Sequence, residues 1–357
     1  MTGSKEKTES GLQELLVPLA AIALGLLVGA VIILFIGENP VRAYAALFHG
    51  AFGSFNSLLG TLTRATPIII TGLAVALPFR AGLFNIGVEG QMMMGALAAA
   101  VVGSELRGLP MAVHLPLTLL AAVAAGGLWA FIPAWLKARR GIHEVINTIM
   151  LNFVANAVLA YLVVEVLRAP GEMIPKTPAV LGTAVLARFS DFLPGITARL
   201  NFGFILALLA AVGLYYLLWK TTTGYEIRAV GLNAKAAEYA GINVAKRIIM
   251  AMVLSGMLAG LAGAERILGF DRMLALGFSP GFGFEGIAVA LLGRNHPVGI
   301  ILAALLFGAL SSGGVWLSFA TDVPSDIIVV LQAVIIFFVA ADQIVRAIIS
   351  YGKKGVA

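Results

Sequence analysis

Residues 76–91 read ALPFRAGLFNIGVEGQ and lie between two apolar runs, at 66–79 and 88–105. A proline inside a helix removes a backbone hydrogen bond and glycines permit sharp turns, so the stretch predicts a break in a helical segment. An ionisable side chain at membrane depth costs about 2.5–3.5 kcal/mol on insertion scales, so it faces protein or a water-filled cavity. The stretch therefore predicts a discontinuous membrane helix that turns four polar side chains inward: Arg80, Asn85, Glu89 and Gln91. In a purely structural alternative, Arg80 marks the inner membrane interface and pairs with Glu89.

The composition of the whole chain indicates a membrane protein. Of its 357 residues 60% are hydrophobic and 12% are charged, and the mean hydropathy is +0.98. Soluble domains carry about 25% charged residues and about 45–50% apolar ones. A soluble globular protein is therefore excluded, and we expect an all-α, polytopic membrane protein.

Several kinds of site are excluded by what the sequence lacks. Without cysteine it has no disulfides and no thiolate chemistry, and without G-x-x-x-x-G-K-[ST] it cannot cradle ATP phosphates in that manner. Residues 143–147, HEVIN, miss the zinc motif H-E-x-x-H by one residue, and residues 281–286, GFGFEG, match a dinucleotide pattern without a preceding strand. No run of basic residues with aromatics indicates nucleic acid. We predict no metal site and no cofactor bound by this chain.

Apolar runs predict about ten transmembrane segments with both termini in the cytoplasm. Three of the runs, 66–79, 88–105 and 284–292, are shorter than the roughly 20 residues of a straight spanning helix, so we expect them to be short or broken. Residues 1–13 and 350–357 are expected to be cytoplasmic tails around a membrane domain at 14–349. The full set of runs is 14–36, 66–79, 88–105, 113–136, 145–167, 202–219, 248–269, 284–292, 298–318 and 326–349.

The distribution of cations sets the expected orientation. The densest basic clusters, 137–140 and 220–247, fall on one face in this topology, and that face collects 15 of the 24 Lys and Arg residues. Cytoplasmic loops carry such an excess, so this face is the inner one. Residues 169–200 contain four prolines and predict an irregular outer loop.

Two segments share the pattern G-x-A-V-A-L-x-x-R, at Gly72–Arg80 and Gly286–Arg294. In the predicted topology both run from outside to inside, so a repeat built on them would be parallel. A chance match in a chain rich in Ala, Val and Leu is the alternative.

Polar residues recur every four positions on the helix predicted at 145–167: Glu144, Thr148, Asn152 and Asn156. This spacing places them on one face, which should turn to protein or to a pathway rather than to lipid. The alternative is interhelical hydrogen bonding, at about 0.6 kcal/mol per contact. The G-x-x-x-G pairs Gly25/Gly29 and Gly256/Gly260 predict close helix packing.

The inner loop at 220–247 contains a short helix signal. Asn233 is a good N-cap and Gly241 a good C′ residue, framing a helix of about seven residues whose Lys235 and Glu238 keep it solvated. Such a helix suggests a docking element for a separate motor subunit. A helix lying on the membrane surface is the alternative.

Three stretches together resemble the permease subunits of bacterial ATP-binding-cassette importers of the ribose and branched-chain amino-acid group, most closely its nucleoside-type members. They are FRAGLFNIGVEGQ at 79–91, HEVINTIMLN at 143–152, and RAVGLN at 228–233 with AAEYAGI at 236–242. Ala236, Ala237 and Gly241 match the docking loop of such importers, whereas Lys235 stands where that pattern has Glu.

The resemblance implies a permease in the inner membrane of a bacterial cell that translocates nucleosides by alternating access. The implied partners are an ATPase subunit that binds the ATP, an extracytoplasmic binding protein or lipoprotein, membrane lipid, and a second permease, with a heterodimer favoured over a homodimer. Simple sugars such as ribose, or branched-chain amino acids, are alternative substrates. An ion-coupled transporter with Glu89 or Glu285 as proton site is an alternative class, and an intramembrane enzyme lacks a credible catalytic constellation.

Two groups of functional residues are predicted from the motifs and the resemblance together. The pathway group is Asn85, Glu89, Gln91, Asn152, Asn156 and Glu285, and the ATPase-coupling group is Arg228, Gly231, Asn233, Ala236, Ala237, Glu238 and Gly241.

Overall fold

A computed structural model describes residues 2–321 and 323–340, with side chains at 18–321 and 323–339. Those residues form α-helices and short turns, and no β-strand occurs among them. Two π-helical segments, Leu162–Val166 and Arg266–Asp271, continue the α-helices that end at Tyr161 and Glu265. The helices are α1 (Thr2–Ile36), α2 (Pro40–Phe52), α3 (Phe55–Arg80), α4 (Val88–Glu105), α5 (Met111–Arg140), α6 (Glu144–Tyr161), α7 (Gly203–Lys220), α8 (Thr222–Leu232), α9 (Ala234–Tyr239), α10 (Val244–Glu265), α11 (Phe282–Leu292), α12 (Pro297–Ala320) and α13 (Ile327–Ala340).

Seven helices of the described chain are long and apolar enough to cross a membrane, so the protein is all-helical and multi-pass. The apolar helices at Phe282–Leu292 and Ile327–Val339 are shorter. The prediction that 66–79 is too short was wrong, because polar Asn, Thr and Arg residues interrupt the apolar run while the helix itself begins at Phe55 and has 26 residues. The expected short segments at 88–105 and 284–292 are helices of 18 and 11 residues.

The described termini differ in part from the expected tails. Residues 2–13 belong to α1, and the sequence analysis did not predict α2, whose N-cap Asn39 accepts a hydrogen bond from the backbone N–H of Val41 at 2.9 Å. The predicted tail at 350–357, and residues 341–349 of the last apolar run, lie outside the described residues.

The chain divides into two compact units, one from residues 1–61 and 306–357 and one from residues 62–305. In the described part of the first unit, Gly25 and Gly29 meet the side chains of Ile335 and Leu331 on α13, so this pair packs helices as predicted. Ile33, Leu310, Leu317 and Val323 are among the buried residues of this unit's core.

In the second unit, glycines bring α4, α5 and α10 into backbone contact. Gly256 approaches Ala130 and the carbonyl of Gly126, and Gly260 approaches the carbonyl of Ala122. A methyl group at either position would overlap these atoms. The predicted packing role of Gly256/Gly260 is therefore confirmed.

The two copies of the G-x-A-V-A-L-x-x-R pattern lie side by side and run in the same direction. Near the start of the two segments, Thr71 Oγ1 donates to the carbonyl of Phe282 at 2.9 Å. At their ends, Arg80 Nη2 donates to the carbonyl of Arg294 at 3.1 Å. The segments are thus parallel, as the sequence predicted for a repeat. Each is followed by a turn with positive φ, at Gly82 in the first copy and at Arg294 and Asn295 in the second.

Residues 169–200 contain two 3₁₀ turns, at Gly182–Ala184 and Phe189–Asp191, and are otherwise irregular. This confirms the irregular loop that the four prolines predicted. The loop is held to the 268–275 region by backbone hydrogen bonds, including Thr177 N–H to the carbonyl of Leu274 at 2.9 Å.

Candidate transport site and coupling segment

Residues 81–87 form the break between α3 and α4, and Asn85 holds it together. Its side chain is fully buried and donates to Gln91 Oε1 at 3.0 Å and Ser255 Oγ at 2.9 Å, while its Oδ1 accepts from the N–H of Gly87 at 2.9 Å. Ser255 in turn donates to the carbonyl of Ala74 at 2.6 Å. Backbone groups that lose helical partners must find others where water is excluded. Asn85 and Gln91 are therefore satisfied inside the subunit.

Asn152 fixes the same broken segment from α6. Its Oδ1 accepts from the N–H of Gly90 at 2.9 Å, and its Nδ2 donates to the carbonyl of Ile86 at 2.9 Å. The methyl group of an alanine at Gly90 would lie 2.8 Å from that Oδ1, so glycine permits the approach. The amide thus pairs with one donor and one acceptor of the break.

The polar stripe on α6 divides into a buried and an exposed part. Glu144, Thr148 and Asn152 are buried, and Glu144 pairs with Lys137 Nζ at 2.8 Å. Asn156, one turn further, is exposed. The spacing predicted one common face, but neighbouring helices cover only its first turns.

The carboxylate of Glu89 sits at the N-terminus of α11. Its Oε2 accepts from the backbone N–H of Gly283 at 2.6 Å, and it is also hydrogen-bonded by the side chain of Ser279. An added Cβ at Gly283 would lie 2.5 Å from the backbone nitrogen of Glu89, so the first turns of α4 and α11 approach backbone to backbone. A carboxylate at this position complements the positive end of the helix dipole.

Arg80 occupies the opposite end of α11. Its Nε and Nη2 donate to the carbonyls of Asn295 and Arg294, both at 3.1 Å, and its guanidinium lies 5.3 Å from the centre of the Trp219 ring. A cation at a helix C-terminus complements the negative end of the dipole. Arg80 and Glu89, from the two sides of one break, therefore hold both ends of α11. We call this pair the Arg80–Glu89 clamp.

The ring of His296 packs against the aromatic side chains that lie near Arg80. Its ring lies 5.1 Å from that of Trp219 and 5.9 Å from that of Tyr215. Burial, and next the positive charge of Arg80, lower the pKa of His296 below its usual value. The imidazole is therefore neutral near pH 7 and adds no charge beside Arg80.

Glu285 lies two residues beyond the Glu89 contact and is half-buried. Its carboxylate interacts electrostatically with the charged groups of Glu89 and Arg64. Beside it on α11, Phe284 is 51% exposed. The N-terminal half of α11 thus combines an aromatic face with a partly accessible carboxylate.

The coupling segment, α8 with α9, has the caps that the sequence predicted. Asn233 Oδ1 accepts from the N–H of Ala236 at 3.0 Å. Gly241 has φ +83°, and the N–H groups of Gly241 and Ile242 donate to the carbonyls of Glu238 and Ala237 in a Schellman arrangement. The helix, predicted at about seven residues, spans six, Ala234–Tyr239.

Exposure distinguishes the residues of the coupling segment. Ala237 is buried, whereas Ala236 and Glu238 are exposed. Three large side chains face outward, Tyr225 at 62%, Leu232 at 88% and Tyr239 at 94% exposure. Arg228 is half-buried, and Arg247 pairs with Glu226 next to the segment.

Comparison with known proteins then gives the family. A family model described as branched-chain amino acid transport system / permease component matches residues 57–340. The chain belongs to this permease family. The permease is accordingly a multi-pass membrane subunit of a transport system.

Three curated relatives match the permease over nearly its full length. It is 47% identical to the guanosine ABC transporter permease protein NupP of Bacillus subtilis, over 96% of this chain and 98% of that protein. It is 37% identical to the nucleoside ABC transporter permease protein NupB of Lactococcus lactis, over 96% and 94%. It is 36% identical to the glucose ABC transporter permease protein TsgB13 of Haloferax volcanii, over 95% and 91%. No solved structure matches the permease.

Sequence reasoning missed several partners of the predicted residues. Ser255 and Thr71 lie inside apolar helices, and their only sequence signal is a hydroxyl among small or apolar neighbours. The acceptors of Arg80 are backbone carbonyls, which have no signature in the sequence. A fully buried pair was missed as well: Asn201 Nδ2 donates to Glu265 Oε1 at 2.9 Å.

Proposed function

We propose that this chain is the permease subunit of an ATP-driven importer that moves nucleosides across the inner membrane of a bacterial cell. The observation that carries the proposal is the 47% identity to a guanosine ABC transporter permease protein over 98% of that relative's length. The capped α9 helix supports it, since the exposed Ala236 and Tyr239 of α9, with Leu232 at the end of α8, suit contact with a separate ATPase.

The proposed mechanism is alternating access between two permease subunits, with a heterodimer favoured over a homodimer. The break at 81–87 and the Arg80–Glu89 clamp give this subunit a discontinuous helix region of the kind found at transporter substrate sites. In this mechanism Asn85, Gln91 and Asn152 position the break, because each is buried and hydrogen-bonded within the subunit. Glu89 is also buried and bonded to Gly283, and as a member of the clamp it stays proposed as a residue near the path, together with Asn156 and Glu285.

Both ATP and substrate delivery are assigned to partners. The ATPase is proposed to bind ATP and to dock on residues 233–241, and an extracytoplasmic binding protein is proposed to deliver the substrate. The membrane domain is proposed to extend over 14–349, with about ten membrane segments, both termini inside, and residues 169–200 outside. Because the native chain has no cysteine, single cysteines introduced in each loop can test this topology with impermeant thiol reagents.

The experiment that tests the function is uptake into proteoliposomes that contain the permease pair, the ATPase and the binding protein. Radiolabelled guanosine should accumulate only with ATP, and excess nucleoside should compete whereas excess glucose, ribose or leucine should not. Competition by glucose alone would assign the permease to sugars, the activity that the name of one relative carries. Uptake that an ionophore abolishes, and that continues without ATP at a clamped gradient, would instead identify an ion-coupled transporter.

Docking has a separate test. Ala236 is exposed and Ala237 is buried, so Ala236→Asp changes the outer surface of α9 alone. We expect Ala236→Asp to abolish co-purification of the ATPase while the permease stays folded. Lys220→Ala, at an exposed position outside the coupling group, is the matched control and should retain the ATPase.

A further inference from the structure

At Gly82 and Gly231 the broken helix and the coupling segment approach each other backbone to backbone. An added Cβ at Gly231, near the end of α8, would meet the carbonyl oxygen of Arg80 and would lie 2.9 Å from both the Arg80 carbonyl carbon and the Gly82 nitrogen. Seen from the other side, a Cβ at Gly82 would lie 3.2 Å from the Cα and the carbonyl oxygen of Gly231. No side chain separates the two segments at this point. We call it the Gly82–Gly231 contact.

On the coupling side, the contact belongs to a short rigid helix. Ile227 and Val230 of α8 are buried, and Asn233 links α8 directly to α9, as the C-cap of the first helix and the N-cap of the second. A displacement of α9 therefore reaches Gly231 over a few residues of regular structure. Protein interiors are close-packed and transmit such displacements with little compression.

On the membrane side, the contact lies between the two members of the Arg80–Glu89 clamp. Gly231 lies against the carbonyl group of Arg80 with no room for a Cβ between them. The Arg80 guanidinium holds the carbonyls of Arg294 and Asn295 just beyond the C-terminus of α11. Gly82 begins the break that continues to Glu89, whose carboxylate holds the N–H of Gly283 at the other end of α11. Movement at one point can thus reach both ends of the same helix.

We infer that the Gly82–Gly231 contact transmits movement of the coupling segment to α11, and that Gly231 is a positioning residue for transport. The inference rests on the proposed docking of an ATPase on residues 233–241. It adds the route by which that subunit acts: from α9 through Gly231 to the Arg80–Glu89 clamp, and from there to the aromatic and acidic face of α11.

The first test compares two glycine-to-alanine variants in the reconstituted importer. Gly231→Ala pushes a methyl group into the Arg80 carbonyl, whereas Gly213→Ala on α7 meets nothing within 4 Å and is the matched control. The readouts are retention of the ATPase on purification, ATP hydrolysis, and nucleoside moved per ATP hydrolysed. The ratio of transport to hydrolysis does not depend on how much folded protein is recovered.

For Gly231→Ala we expect the ATPase to stay bound and transport per ATP to fall roughly 2- to 30-fold, the range seen for residues that carry coupling between sites. Gly213→Ala should keep the wild-type ratio. An unchanged ratio in Gly231→Ala would overturn the inference, even if uptake fell because less protein folded.

A second measurement uses the unmodified complex and covers the case in which Gly231→Ala does not assemble. Hydrogen–deuterium exchange is compared with and without a non-hydrolysable ATP analogue. We expect peptides covering 222–239, 81–89 and 282–287 to change protection together. A change at 222–239 with none at 81–89 or 282–287 overturns the inference and leaves the docking proposal intact. No difference at 222–239 between the permease with and without its ATPase overturns both.

Discussion

The two copies of the G-x-A-V-A-L-x-x-R pattern have similar local structure and different chemistry. Each is a helix followed by a turn with positive φ and then a second helix, at 72–105 and at 286–320. The first copy contributes the side chain of Arg80, and α4 after it contributes that of Glu89. The region of the second copy contributes backbone groups, the N–H of Gly283 and the carbonyls of Arg294 and Asn295. The two copies are parallel and share a backbone pattern, but their contacts are asymmetric: side chains from the first region hold backbone groups of the second.

The turns that follow the two copies also differ, both in length and in the segments that they contact. Seven residues, 81–87, separate α3 from α4, and four residues, 293–296, separate α11 from α12. The longer turn has room for Asn85 and its hydrogen bonds, and it is the turn that the coupling segment contacts. On the proposed route, the longer turn moves with the coupling segment and α11 follows it.

We expect the largest loss of stability from a substitution that fills the close contact between the first turns of α4 and α11. Gly283→Ala would place a methyl group 2.5 Å from the Glu89 nitrogen and 2.6 Å from its Cα, with backbone on both sides. Overpacking of this kind costs about 1–3 kcal/mol and occasionally more. We expect a marked fall in the thermal midpoint in detergent, and Gly182→Ala, which meets nothing within 4 Å, should leave the midpoint unchanged. Wild-type stability of Gly283→Ala would show that the two helices are not locked together.

Arg80 and Arg294 occupy the same position in the two copies, so substituting each one tests whether only the first arginine stabilises α11. Arg80→Gln removes two hydrogen bonds from a charged donor, and such bonds contribute about 1.5–3 kcal/mol. Arg294→Gln changes an exposed side chain of the second copy and keeps the backbone carbonyl that accepts from Arg80. SDS titration should give a clearly larger loss of unfolding free energy for Arg80→Gln. Equal losses would mean that the two copies contribute alike.

Variants of Asn152 and Asn156 on α6 measure how much the hydrogen bonds of Asn152 stabilise the break that follows the first copy. Asn152→Leu leaves the N–H of Gly90 and the carbonyl of Ile86 without their partner, which costs about 1–3 kcal/mol. Asn156→Leu, at an exposed position, should change the unfolding free energy by less than about 0.5 kcal/mol. Amide exchange at 86–90 should rise in the Asn152 variant alone. A stable, unchanged break in Asn152→Leu would remove this residue from the positioning group.

The smallest effect on stability is expected on the partly accessible face of α11. Glu285→Gln conserves shape at a half-buried position and should leave the thermal midpoint within the error of the measurement. As a proposed pathway residue it should still raise the KM for nucleoside uptake by roughly tenfold, since a hydrogen bond to a charged group contributes about 1.5–3 kcal/mol. Phe319→Ala, at an exposed position in the other compact unit, is the control. An unchanged KM would exclude Glu285 from the path.

Features set by local sequence could be predicted from the chain. Asn233 and Gly241 place α9 to within a residue, because both caps act on backbone groups a few positions away. The break near Pro78 and Gly82 is local in the same way, although the helix continues through the proline to Arg80.

Features that depend on partners far away in the sequence could not be predicted from the chain. Ser255 lies 170 residues from Asn85, and Arg80 finds its acceptors 214 and 215 residues away, on carbonyls that every residue has. Asn152 and Asn156 share one helical face, and only the position of neighbouring helices separates the buried one from the exposed one. The length of α3 was underestimated for a related reason, since Thr61, Thr63 and Thr66 are buried although they lower its hydropathy.

The amide of Asn85 has a consequence for how this architecture could change its cargo. Both of its polar atoms are occupied by neighbours in the same subunit: Nδ2 donates to Gln91 and Ser255, and Oδ1 accepts from Gly87. A frame whose polar atoms pair with one another places no requirement on the solute, so we expect selectivity to depend on residues outside it, such as the proposed pathway residue Glu285. One scaffold could then serve chemically unlike solutes, as relatives named for guanosine and for glucose suggest.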